Sequence, residues 1–258
     1  MTKSFSAKSL GLLCAGLLLL SAAAVDAAQK KNPVFDNRRT LFATIGQTTM
    51  VFEAPKGMCF MDESRVTENA LLKSMKDAAR HNGGMLVAVF ADCKELAGIG
   101  VIDAGSSFVL KRKGTITWAD ATRPPPKKLT RQEFIDMHAP NFREDAWNDM
   151  LRAFTKQGRL KKRVEGALTT TTYMANPEDY NFDAKPHVTG DGVSLAYAVN
   201  SEVEYKKLTT GGVVGKTLIR HVPLEFQISM SGDRSEPDFT RFYKMMDSFI
   251  AQQVRLNH

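Results

Sequence analysis

Residues 193–230 consist of β-type segments that follow one another without a helix between them. Residues 193–199 alternate apolar and polar side chains, 202–208 do so weakly, and 213–222 and 224–230 are rich in apolar and β-branched residues on either side of Pro223. A final segment has apolar residues at helical spacing, namely Phe239, Phe242, Met246, Phe249 and Ile250. The pattern predicts antiparallel strands on which a final helix packs.

Earlier segments add strands and helices to this plan. Residues 48–52 predict a strand, and the continuously apolar run 86–90 predicts a buried central strand. Residues 67–81 carry an apolar face typical of a helix that ends at a glycine pair. Capping-box patterns that begin at Thr130 and Asn141 predict two further helices.

The chain shows one candidate domain boundary, the proline spacer at 124–126, and no internal repeat. Strands on either side of that spacer are too few to form separate sheets. We therefore expect residues 28–258 to form a single α+β domain, an antiparallel β-sheet packed against helices, with a loop-rich insertion near 160–190.

The stretch 209–219 (TTGGVVGKTLI) resembles a phosphate-binding loop, but its spacing is wrong. Such a loop needs G-x-x-x-x-G-K-[ST] followed by a helix. Gly215, Lys216 and Thr217 supply the end of the motif, whereas position 210 is threonine. The residues that follow are β-branched and lead to a proline. The stretch therefore predicts a glycine-rich hairpin turn that enters a strand.

Residues 1–27 have the features of a secretory signal peptide. Lys3 and Lys8 precede an apolar run at 10–25, and Val25-Asp26-Ala27 is a small-x-small cleavage pattern. The run is shorter than the roughly 20 residues of a membrane span. We expect cleavage after Ala27 and a periplasmic or secreted protein without a stable membrane span.

The exported chain is basic. Removing 1–27 leaves 33 basic residues (35 − 2) and 27 acidic residues (28 − 1), a net charge of +6. A candidate basic patch comprises Lys161, Lys162 and Arg163, which would suit an anionic envelope component or an acidic envelope protein. Solvated faces and helix ends are the commoner explanation of such clusters. No aromatic-plus-basic motif suggests nucleic acid as a partner.

Two cysteines, Cys59 and Cys93, remain after loss of the leader. An even pair in an oxidising compartment favours a disulfide, and the 34-residue separation would make it worth roughly 4 kcal/mol. Free buried thiols and redox or metal chemistry are the alternatives. The pair lacks the C-x-x-C spacing of redox sites.

Catalytic signatures are not found in the sequence. It contains no G-x-S-x-G elbow, no S-x-x-K pair and no H-E-x-x-H motif. The five histidines are scattered without metal-ligand spacing. We therefore predict no catalytic residue, no metal site and no cofactor, while a site built from distant residues could still escape a motif search.

Two stretches together resemble a group of uncharacterised exported bacterial proteins. Residues 52–59 (FEAPKGMC) match its P-x-G-x-C turn, and 86–96 (LVAVFADCKEL) match its F-A-D-C strand end. The resemblance implies that Cys59 and Cys93 correspond to the paired cysteines of the group. The C-terminal part, a Gly-Lys strand, the segment LEFQISM and the phenylalanine-rich helix, is similar to the end of the same proteins.

More distantly, the final helix around 239–249 resembles the PsbP-like fold. That fold is an antiparallel sheet covered by helices, and it occurs in a photosystem extrinsic subunit and in small bacterial envelope proteins. Neither resemblance supplies a catalytic residue. Both imply an accessory or binding role.

The sequence thus predicts a non-enzymatic exported accessory or binding protein. An envelope hydrolase or transferase with a non-local active site is one alternative. A secreted factor that acts on a host or neighbouring cell is another.

Overall fold

The computed structural model describes residues 20–21, 38–81, 84–99, 107–108, 110–119, 121, 129–146, 148–149, 180–183, 185–203, 206–232 and 238–258. Its strands are β1 (Leu20–Ser21), β2 (Thr40–Ile45), β3 (Thr48–Glu53), β4 (Met58–Phe60), β5 (Met85–Asp92), β6 (Ser107–Phe108), β7 (Arg112–Trp118), β8 (Tyr180–Phe182), β9 (His187–Val188), β10 (Val193–Val203), β11 (Lys206–Ile219) and β12 (Val222–Gly232). Its helices are α1 (Val66–His81), α2 (Cys93–Ile99), α3 (Arg131–His138), the short 3₁₀ helix Ala139–Asn141, and α4 (Phe239–Leu256).

The main sheet has eight strands in the order β4-β5-β7-β12-β11-β10-β8, with β9 also paired to β10. Every strand pair is antiparallel. Two small sheets accompany it, the hairpin β2–β3 and the pair β1–β6. The predicted α+β class and the antiparallel sheet packed against helices are confirmed.

Helices cover both faces of the main sheet. On one face, Val213 and Phe226 pack in the largest apolar cluster with Phe249 of α4. On the other face, Val214 packs with Ile135 of α3. Helix α1 lies on the same face as α3, over β5. Because side chains alternate along a strand, adjacent residues of β11 serve opposite layers.

The glycines of β11 lie within the strand, so the predicted hairpin turn at this position is wrong. A Cβ atom on Gly215 would lie 2.9 Å from Met246 Cγ of α4, and one on Gly212 would lie 2.6 Å from the Tyr197 ring. Glycine here allows close packing of neighbouring layers. The actual turn is Arg220-His221, where both residues have positive φ, which fits a two-residue type I′ turn.

Two helices begin with side-chain caps. Thr130 and Glu133 form the predicted capping box at the start of α3. The N-cap of α4 is Asp238, whose carboxylate accepts a hydrogen bond from the Arg241 backbone N–H. No helix in the described part of the chain combines the length and the apolar character needed to cross a membrane.

The hairpin β2–β3 is attached to α4 by two side-chain amides. The Val51 N–H donates to Asn257 Oδ1 at 2.9 Å, and Asn257 Nδ2 donates to the Val51 carbonyl at 2.8 Å. Gln253 makes the same two bonds to the Glu53 backbone, each at 3.0 Å. Residues 253 and 257 are one helical turn apart, so this amide clamp occupies the edge of β3 as a neighbouring strand would.

Candidate functional site

One edge of the main sheet is incomplete because β4 is shorter than its neighbour. Strand β4 pairs with β5 only from Phe60 opposite Phe90 to Met58 opposite Asp92. The Met61 N–H still donates to the Val89 carbonyl at 2.8 Å, after which the chain turns towards α1. Among the described residues, no strand pairs with the first half of β5 on the side away from β7.

The opposite wall of this gap is the chain that leads into β2. The Phe60 N–H donates to the Arg38 carbonyl at 2.8 Å, so β4 lies between β5 and Arg38. Where β4 ends, a half-open pocket of about 290 Å³ is lined by Arg38, Thr40 and Leu41 of this segment and by Leu86 to Val89 of β5. We call it the edge groove.

The edge groove has apolar walls and a charged rim. The walls include Leu41, Phe60, Leu72, Leu86, Val87 and Val89. The rim comprises Arg38, Asp62, Glu63 and Lys76.

The charges of the rim are held by contacts within the protein. Arg38 forms a 2.7 Å salt bridge with the buried Glu68, and Lys76 pairs with Glu63. The pKa of Asp62 is lowered, chiefly because the Ser64 backbone N–H and hydroxyl hydrogen-bond to its carboxylate. Asp62 is therefore an anion at neutral pH. With the cations of the rim engaged, the apolar walls offer the main attraction for a ligand.

The disulfide lies beside the edge groove. Cys59 of β4 is bonded to Cys93, the first residue of α2, as the sequence predicted. The loop that this bond closes contains β5, α1 and the end of β4. It therefore contains every groove residue except Arg38, Thr40 and Leu41. The bond restricts separation of β4 from β5 beside the groove.

A second polar feature lies on the face of α1 and α3. Side chains of three adjacent strands point to this face, and we call them the polar strip: Lys113, Thr115, Thr117, Lys216, Glu225, Gln227 and Ser229. Lys216 Nζ lies 3.3 Å from Glu225 Oε2, and both side chains are buried. Gln227 Nε2 donates to the Tyr197 hydroxyl at 2.7 Å.

Burial shifts the titration of two groups in and beside this strip. Desolvation, with the positive charge of Lys216, lowers the pKa of His138 to about 4. Desolvation of the Lys113 ammonium lowers its pKa to about 8, although the side chain as a whole keeps some exposure. The Thr115 and Thr117 hydroxyls are buried without a hydrogen-bond partner. These residues form an enclosed polar layer, in contrast to the open groove.

A serine, a histidine and an aspartate meet on the face of α4, but they do not form a catalytic triad. His187 Nε2 lies 2.8 Å from Asp247 Oδ2, and Ser194 is directly opposite His187 in the β9–β10 pair. The Ser194 hydroxyl is buried and has no hydrogen-bond partner. A nucleophile needs a hydrogen bond to its base, which is not formed here.

The structure tests some of the residues singled out from the sequence. Cys59 and Cys93 are confirmed as a disulfide. The basic cluster Lys161, Lys162 and Arg163 lies outside the described residues, as does the predicted leader apart from residues 20–21. Within the described ranges, no three histidine, cysteine or acidic side chains are grouped as metal ligands.

The edge groove was missed at the level of sequence. The run 86–90 is apolar enough to suggest a central strand, but β5 is the second strand from the edge, and its first half has an open side. The only sequence signal was the brevity of the segment between Gly57 and Asp62, which leaves room for a three-residue strand.

No protein-family model matches this chain, and no curated protein sequence matches it.

Proposed function

We propose that the protein is an exported, non-enzymatic accessory protein that binds an envelope partner through the edge groove. The observation that carries this proposal is the half-open pocket of about 290 Å³ with apolar walls and an internally paired rim. Concave sites with apolar walls and a few polar groups are the usual form of ligand-binding sites in proteins.

Export is supported by two features. The leader pattern at 1–27 predicts secretion, and the Cys59–Cys93 disulfide is compatible with an oxidising compartment. We also propose kinship with the exported bacterial group and, more distantly, with PsbP-like proteins. The antiparallel sheet with helices on both faces is compatible with that relationship.

Site-specific photo-crosslinking in the cells that make the protein tests the groove as the binding site. A benzoylphenylalanine replaces Val87, which lines the groove, in one variant and Val188 in the other. Val188 is a matched control because it is 47 % exposed in β9, at the opposite edge of the sheet. We expect an adduct of defined mass from position 87 and none of that mass from position 188. Equal labelling from both positions, or none from 87, would count against the proposal.

A further inference from the structure

The shape of the edge groove indicates what kind of ligand it takes. Strand β4 hydrogen-bonds to β5 on one side and to the Arg38 carbonyl on the other. Neighbouring strands are about 4.8 Å apart, so the two walls beside β4 are separated by roughly 9.6 Å, twice that spacing. The groove lies beyond the end of β4 and is lined by residues of the same two segments. A gap with the spacing estimated beside β4 takes one extended chain.

We propose that the edge groove binds an extended peptide segment of a partner protein. The segment adds a strand beside Met85–Ala88, in line with β4. This inference rests on the proposed function, since it names the partner of the same site. Strand addition of this kind uses main-chain hydrogen bonds for affinity and pockets for alternate side chains for selectivity. Four residues of β5 offer an edge of about 13 Å at 3.3 Å per residue.

The side chains around the open edge favour an apolar partner segment. The residues along the unpaired edge of β5 are Met-Leu-Val-Ala, which include no charge and no proline. Natural edge strands usually carry charged residues or proline, which discourage pairing with another chain. Leu72 and Leu86 form an apolar wall on the α1 side, into which alternate side chains of an added strand would point.

The bulge in β5 supports the same assignment. The register with β7 skips from Leu86 to Ala88, so Val87 has no partner residue on β7. The extra residue of a bulge is left unpaired with the strand across from it. Val87 lines the groove, where its backbone can meet an added strand. A bulge also serves to keep foreign strands away from an edge, so experiment must separate these two roles.

The test uses the exported chain 28–258 and a phage-displayed library of random nonapeptides. The tightest peptide is resynthesised with single N-methyl groups along its backbone, and affinities are measured by fluorescence anisotropy. We expect N-methylation at alternate positions to weaken binding at least tenfold, with little effect at the positions between. We also expect binding to slow amide hydrogen exchange in Met85–Val89.

Two arginine variants show whether the peptide occupies the groove. Val87→Arg should weaken binding at least tenfold, whereas the matched control Val188→Arg should bind as the unmodified protein does. Unchanged circular dichroism and thermal unfolding of both variants would exclude misfolding as the cause.

The outcomes separate the two proposals. Strand addition would be overturned by a peptide whose affinity falls with Val87→Arg but is unaffected by every N-methyl group, and which does not slow amide hydrogen exchange in β5. The groove would then remain a binding site. Failure to select any Val87-dependent peptide would overturn strand addition, and absence of an adduct from position 87 would overturn the proposed function as well. If peptides bind tightly only to a truncated chain that starts at Arg38, the groove would be assigned to the chain's own segment that precedes Arg38.

Discussion

Replacement of Asn257 by alanine should destabilise the protein far more than its place near the end of α4 suggests. The side chain is 5 % exposed and makes three hydrogen bonds, two to the Val51 backbone and one from Nδ2 to the Gln253 carbonyl. Truncation leaves both backbone groups of Val51 without these partners. The β2–β3 hairpin then loses half of the amide clamp that joins it to α4.

The magnitude follows from the hydrogen bonds that are lost. A typical bond contributes about 1 kcal/mol, and a buried group left unsatisfied costs roughly 1–3 kcal/mol. Val51 is half-buried, so water can partly replace its lost partners. We expect Asn257→Ala to lower the free energy of unfolding by about 2–4 kcal/mol. For a domain of this size that corresponds to a fall in Tm of roughly 5–12 °C.

Urea unfolding followed by circular dichroism measures the change, with Gln252→Ala as the matched control. Gln252 is an amide of the same helix, but its side chain donates to the Glu53 carboxylate and not to the β3 backbone, and it is partly exposed. We expect a loss below about 1 kcal/mol for the control. Equal effects of the two substitutions, or a loss below 1 kcal/mol for Asn257→Ala, would refute the role of the clamp.

Three further predictions concern other parts of the fold. Gly114→Ala should cost about 3 kcal/mol or more in a urea titration, because its Cβ would lie 2.4 Å from a backbone oxygen of β12. The folded-state pKa of His138 is about 4, below its unfolded value near 6.5. The free energy of unfolding should therefore fall by up to about 3 kcal/mol as the pH drops from 6.5 to 4, because the unfolded chain binds the proton more tightly. The variant His138→Gln should lack this pH dependence. Replacing Cys59 and Cys93 by alanine should cost roughly 4 kcal/mol under oxidising conditions, and under reducing ones only the smaller packing loss at the buried Cys59.

Much of the architecture could be predicted because local patterns and tertiary packing agree. The helix predicted at 67–81 is α1, and the apolar face predicted for the final helix packs in the core through Phe242, Met246 and Phe249. The capping box at Thr130 is a local hydrogen-bond pattern, so no tertiary information was needed. The disulfide followed from an even cysteine pair in a chain with a predicted export leader.

The glycines of β11 show where local reasoning failed. Glycine favours turns in short-range statistics, because it has no Cβ and tolerates positive φ. In β11 the same lack of a Cβ serves the approach of α4 to the sheet at Gly215 and the position of the Tyr197 ring at Gly212. Both contacts are made by residues distant in sequence, so a scan of neighbouring residues cannot distinguish them from a turn.

The edge groove could not be predicted because it depends on a difference in length between paired strands. Residues 58–60 and 85–92 are each compatible with a strand, but only their register shows that Phe60 stops opposite Phe90 and leaves the first residues of β5 open. The disulfide joins the residue before Phe60 to the residue after Asp92, and it holds these two strand ends together. The cysteine pair could be read from the sequence, but the point along β5 at which β4 ends could not. A site of this kind is defined by where a strand stops. No set of residue types in the sequence is a signature of that position.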